Sequence, residues 1–483
     1  MNIEKTFLGR PVIRKFHIII CCLAIAGASA CVQQQPTTEN LQSFHEFKLQ
    51  NGITVIVRQN PLSRMHSIVL GINGGAGTIA PQKAGLDKIA LQLMCMASER
   101  YPDTTRREIL KRTSSVINAR SDLDFATIQM QTIDTYFTET FDLFLNLIMQ
   151  PAFPAELFQE TVTNTINAYR SDMTDGYARA SLIANQALFT EHPYQASIET
   201  PATLKSLALQ DVQNFYRHTL VAKRLTVFAS GKFNLDALKN RLNTTIGLLP
   251  TGAAAPAVKR RFSRMGSVRL LLDTNTQLSP EVSYLRGNFT IAPPNHSDYW
   301  ALELSGKMLS DIMNDILRTR NGLVYSTWSV MYNKKTNYGS VAAYRTSDPL
   351  KTMERIHTAI DIITQGNCVS PYSQEKLPGT YIEIDKALGF YKTAFSTEYY
   401  SGIQENAAVA LRMAAAHYRY GNSQQFLHNV ESVNQISAKD IVRVVKRYLK
   451  KDRILWALSA HPDTITDVIK APDMPASATV TLP

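Results

Sequence analysis

The chain has 483 residues, of which 45% are hydrophobic and 19% charged, with a net charge of +11. That length exceeds one ordinary core and predicts a globular protein of two to four domains. The basic clusters, Lys259-Arg260-Arg261 and Lys446 to Arg453, are short and lack interleaved stacking aromatics, so they read as solvated faces and not as a nucleic-acid surface. Attraction to acidic peptides or to an anionic membrane surface stays open.

Residues 1–30 read as a signal peptide. Lys5, Arg10, Arg14 and Lys15 precede the apolar run FHIIICCLAIAGASA, which is too short for a membrane span. Two readings of its end are open. ASAC with Cys31 resembles a bacterial lipobox, where the Cys is freed and lipidated, although Ala28 departs from the usual Leu. Ala28-Ser29-Ala30 also serves as a plain cleavage site for a soluble periplasmic protein. The polar stretch VQQQPTTENLQS, which gives the tether over residues 31–42 and runs on to Ser43, favours the lipoprotein, and Val32 points by analogy to the outer membrane. Cys21 and Cys22 leave with the signal. Cys95 and Cys368 read as two buried thiols, with a disulfide as the alternative.

An N-terminal domain is expected over 43–247. It opens with FKLQNGITVIVRQ, where Asn51-Gly52 between alternating runs predicts a hairpin. A strand follows at about 66–73, then an apolar-striped helix from about 82, a strand at 123–132 and helices between 133 and 220. The small, Pro-containing, basic stretch 248–265 reads as a linker. The C-terminal domain, 266–471, shows strands at about 267–273 and 280–291, a helix over 297–318, strands near 324–333 and 338–345, and a second helical set. Residues 472–483 read as a tail.

The two domains repeat one design. DVQNFYRHTLVAKRLTVFASGKF (211–233) aligns without a gap on DIVRVVKRYLKKDRILWALSAHP (440–462), each an amphipathic helix, a basic turn and an apolar strand. The fold class is therefore α+β, with two repeated domains, each a mostly antiparallel sheet packed with a cluster of helices.

The order of hairpin, Ala84-Gly85-Leu86 helix, PAFP helix start, RLTVFASGKF strand and LRTRNGLVYS turn resembles the short two-domain bacterial members of the pitrilysin/insulinase metallopeptidase family, over roughly residues 43–470. That family's zinc helix reads AGLxHxxEH, with two His ligands at i and i+4, a Glu as general base and a Glu ligand on a later helix. Set on the AGL anchor, Lys88 and Gln92 stand for the two His and Leu91 for the base. FQETVTNTINAY puts Glu160 at the first of the two later family Glu positions and Asn167 at the ligand. The resemblance thus implies a degenerate metal site: an ammonium repels a cation, Leu accepts no proton and Gln is a poor neutral ligand. None of the ten His lies three or four residues from another. His66 and His192 read as surface or hydrogen-bonded residues.

The second half keeps what the family uses opposite the zinc. An Arg ending a helix and a Tyr seven residues later contact substrate in the family, and Arg318 and Tyr325 match that spacing in ILRTRNGLVYS. The bland alternative is a helix-end cation and a strand-packing aromatic. Arg320 is out of phase and Trp328 reads as core. The resemblance implies a substrate-binding subunit, inactive alone, with no cofactor of its own. Its partner would be a zinc-bearing family subunit, and its substrates unfolded peptides. A stand-alone peptide-binding or scaffold lipoprotein is the alternative. An independent hydrolase finds no nucleophile elbow or Cys/His signature.

Overall fold

The computed structural model describes residues 43–257, 262, 268–371, 380–472 and 474–480. The signal, Cys31 and the tether, with parts of the linker and tail, lie outside those residues.

Strands β1 (Phe44–Lys48) and β2 (Thr54–Gln59) form the expected hairpin. Gly52 supplies the left-handed step at φ 88°. Asn51 has another task, its amide donating to the Ile246 and Leu249 carbonyls at 2.9 and 3.1 Å. The half continues with β3 (Met65–Asn73), α1 (Leu86–Met94), β4 (Val116–Ser121), β5 (Phe125–Ile133), α2 (Ala155–Asp172), α3 (Gly176–Leu188), α4 (Leu209–Thr219) and β6 (Leu225–Gly231). The sheet runs β1-β2-β6-β3-β5-β4.

The second half holds β7 (Leu270–Thr274), β8 (Ser283–Thr290), α5 (Tyr299–Met313), β9 (Val324–Tyr332), β10 (Tyr338–Thr346), β11 (Asn367–Val369), β12 (Tyr381–Glu383), α6 (Asn406–Tyr420), α7 (Ala438–Tyr448), β13 (Leu455–Ala460) and β14 (Ser477–Thr479). Its large sheet runs β14-β7-β13-β8-β10-β9. The repeated segment lies on α4–β6 and again on α7–β13. Both copies end in a fully buried central strand paired in parallel with the second strand of its sheet, β6 on β2 and β13 on β7. The α+β class and the repeat are both present.

Several boundaries differ from expectation. The first helix starts at Leu86, because Pro81–Lys83 make a separate short turn and Gly85 sits at φ 92°. Strand β4 was not expected; as a sheet edge it alternates exposed and covered residues and carries Arg120 and Asn118 outward from the core. The helix expected over 297–318 ends at Met313 and passes into a π-helical turn, Asn314–Arg320. Part of the tail joins a sheet, with Ser477–Thr479 pairing in parallel with β7.

The halves exchange helices. α3 of the first half lies on β8 and β13 of the second, and α6 of the second lies on β3 and β6 of the first. Glycines allow both approaches: a Cβ on Gly71 of β3 would meet the Tyr418 ring at 2.8 Å, and one on Gly176 of α3 would run into the Tyr284 ring. Polar pins fix each helix. Asn406 donates to Ser63 Oγ at 2.8 Å and the Met65 carbonyl at 2.6 Å, and accepts from Arg58 and Ser230 at 3.2 and 2.9 Å. Arg179 forks onto buried Asp273 at 2.7 and 2.6 Å. Removing one partner of such a buried pair costs about 3–5 kcal/mol. The first sheet thus has two apolar faces. Ile68, Leu70 and Ile72 pack into the first half's core, while Ile56, Val69, Phe125 and Phe228 join the core of the second.

Candidate functional site

Helix α1 is held by its apolar stripe. Leu91, at the position of the family's base, is 1% exposed and packs in the first core with Ile89 and Leu93. Lys88 is exposed and ion-paired with Glu199 at 2.5 Å, and Gln92 is exposed. α1 touches α2, on which Glu160 and Asn167 are both exposed. Asp87 is buried beside Lys88; burial raises its carboxyl above the usual range, against a hydrogen bond from Ser121. The donor set at Lys88, Gln92 and Asn167 does not suit Zn²⁺: one member is a cation already satisfied by a carboxylate and two are neutral amides. Among the described residues no group of three or more His, Cys, Asp or Glu side chains is arranged to hold a metal.

Of the two singled-out histidines, His192 is hydrogen-bonded as expected and His66 departs from the expectation. His66 is neither on the surface nor hydrogen-bonded at Nδ1; it is buried with its ring 4.8 Å from Phe137 and 5.1 Å from Phe233. His192 is buried too, its Nδ1 accepting from the Tyr194 backbone N–H at 3.1 Å. Cys95 and Cys368 are free, buried thiols in different cores, each pushed up to about 12 by burial.

The Arg318–Tyr325 pair is brought together. The π-helical turn carries Arg318; Asn321 caps it by donating to the Ile316 carbonyl at 2.6 Å, and Gly322 turns the chain at φ 57°. The Leu323 N–H bonds the Leu317 carbonyl at 2.8 Å, and β9 begins at once. This hairpin-like closure places the Arg318 guanidinium 5.8 Å from the Tyr325 ring centre. Tyr325 is 65% exposed, on the edge strand of the second sheet. An aromatic packed there for the core alone would be covered. Arg320, by contrast, is engaged by Asp315 at 2.9 Å and by Tyr381. Trp328, expected in the core, is half-buried and meets Tyr177 of α3 edge-on at 5.1 Å.

Two neighbours of this pair were not found from the sequence. The Tyr344 ring lies 6.5 Å from that of Tyr325, and Arg345 stands across the ladder from Tyr325 between the pairs Tyr344–Ser326 and Thr346–Val324. The only sequence signal was that 338–345 is a strand beside 324–333; nothing in the residue types marks the bulge.

Residues 206–365 match the family model described as "Peptidase M16 inactive domain". No curated protein matches the chain. Among solved structures, a peptidase M16 inactive domain from Pseudomonas fluorescens is similar with a TM-score of 0.74 at 13% identity, covering 87% of this chain and 98% of that one. A chain of complex III2 from Candida albicans gives 0.70 at 14% identity, over 88% and 97%. The first half of the periplasmic protease PqqL from Escherichia coli gives 0.66 at 12% identity, over 89% and 94%. At these identities the structures establish the fold. The matched model over 206–365, set in that shared fold, makes this chain similar to M16-type, pitrilysin/insulinase-like peptidases and their inactive homologues.

Proposed function

We propose that this chain is a non-catalytic, substrate-binding subunit of a heteromeric zinc peptidase in the periplasm, held at the outer membrane by lipid on Cys31. The observation that carries this reading is the Arg318–Tyr325 pair, stacked and exposed on a sheet edge with no internal carboxylate to explain it among the described residues. The buried Leu91 supports it from the other side, since no general base can act from that position. Arg318 offers a planar fork to a peptide carbonyl or oxyanion, and the Tyr325 hydroxyl offers a second donor. An unfolded peptide would lie along the free edge of β9, meeting both side chains, while a zinc-bearing partner holds the metal. The similarity to a protease described as periplasmic supports the compartment, and the similarity to a chain of complex III2 supports assembly with other subunits.

A second reading, a stand-alone peptide-binding or scaffold lipoprotein, draws on that same complex III2 likeness. Affinity isolation from the membrane fraction, followed by identification of co-purifying chains, separates the two. A chain recovered only in the soluble fraction removes the lipid anchor. With the partner in hand, this chain alone should cleave nothing and the mixture should cleave unfolded peptides. Arg318→Ala or Tyr325→Phe should lower turnover on the order of 10²–10³-fold without preventing assembly. Full activity in a complex carrying both substitutions would return the pair to helix end and strand packing.

A further inference from the structure

Arg345 is an L-residue held where glycine belongs. Its φ is 58°, within a strand, at the point where β10 gains one residue against β8. Such bulges re-aim side chains and cluster beside binding sites. On its other side the β10–β9 ladder stays in register, with Tyr344–Ser326 and Thr346–Val324 paired on either side of the Arg345 and Tyr325 positions. Arg345 is exposed, and neither it nor Arg318 forms an ion pair among the described residues. The charge is felt locally. The Tyr344 hydroxyl is raised by its hydrogen bond to Asp175 and by burial, with Arg345 pulling the other way, and Tyr284 is raised by burial against the same opposing charge. The Asp175 carboxylate is engaged at the N-terminus of α3, accepting from the Ala178 N–H at 2.8 Å and from Tyr344 at 3.0 Å. One guanidinium therefore lies over the Tyr325 ring, and a second stands on the neighbouring strand beside Tyr344, at a backbone conformation that favours Gly or Asn over Arg.

We propose that Arg345 is a second cationic anchor of the Arg318–Tyr325 site, and that the two guanidinium groups together select peptides presenting a carboxylate at that point. This rests on the peptide-binding reading above and deepens it by naming a substrate preference. The planar forks of arginine match a carboxylate in two-point fashion, which a single carbonyl contact does not require. The carboxylate has two sources, a free C-terminus or an Asp or Glu side chain.

The test is fluorescence anisotropy with the full chain and three otherwise identical labelled peptides: a free C-terminal acid, its amide, and an amide carrying one internal Glu. The unaltered chain should bind one or both acidic peptides about tenfold more tightly than the plain amide, and whichever acid gains identifies the source. Arg345→Gly and Arg345→Asn both tolerate positive φ. Each should keep or raise the melting temperature while bringing the ratio to near one. A ratio unchanged in both variants overturns the role of Arg345. Equal binding of all three peptides by the unaltered chain also overturns it, but leaves the peptide-binding reading standing. No binding of any peptide overturns both.

Discussion

His192 sits between Tyr194 at 4.3 Å and Phe262 at 4.6 Å, ring centre to ring centre, with Nε2 unpartnered among the described residues. Burial pushes its pKa down from 6.5 to about 4. The unfolded chain therefore takes up this proton near pH 6.5, and the native chain only near pH 4. Stability present above pH 6.5 is lost as pH falls through that window, by at most about 1.4 kcal/mol per pH unit. Between pH 7 and 5, His192→Gln should lose about 1–2 kcal/mol less than the unaltered chain in urea unfolding; equal losses would mean that His192 charges freely in the native state. Single residues also show what a sequence conveys. Arg318 and Tyr325 were picked out by the family's seven-residue spacing, and the helix stop and strand start between them bring the two side chains together. Arg345 was not, because arginine carries no preference for positive φ. His66 looked like a surface residue because one polar letter in MHSIVLGIN does not announce two phenylalanines around it.

At the scale of elements, the hairpin and the repeated helix–strand units followed from Asn-Gly and from matched apolar patterns. The partner of a helix did not. Amphipathicity reveals that a helix must bury a face, not which sheet receives it. The clue to exchange was small: Gly71 interrupts an otherwise bulky strand where Tyr418 crosses. A tyrosine of that size removes roughly 150–250 Å² from water. Gly71→Ala places a methyl against the Tyr418 and Phe228 rings and should destabilise the protein by about 1–3 kcal/mol, read as a lower melting temperature. An unchanged melting temperature would mean that α6 does not lie this close to β3.

For the whole molecule, the exchange makes two sheets one unit. Each half contributes a helix to the other's sheet, pinned by Asn406 on one side and Arg179–Asp273 on the other. Lys334 adds a link to Asp122 across the halves at 2.6 Å. Calorimetry should accordingly show a single transition, and a fragment of residues 43–257 should lack a cooperative one on its own. Two separate transitions, or a cooperatively folding fragment, would mean that the exchanged helices contribute little.

Helix α6 has a further consequence, in time. Synthesis delivers a chain from its N-terminus, and domains generally fold as they emerge. The strands of the first sheet are all present once Gly231 has appeared, but the cover for Val69, Phe125 and Phe228 arrives only with residues 406–420. Throughout that interval an apolar sheet face stands open to water and to other nascent chains. A holdase acting before residue 420 emerges would meet that need, and late truncations should aggregate more severely than their small loss of sequence implies.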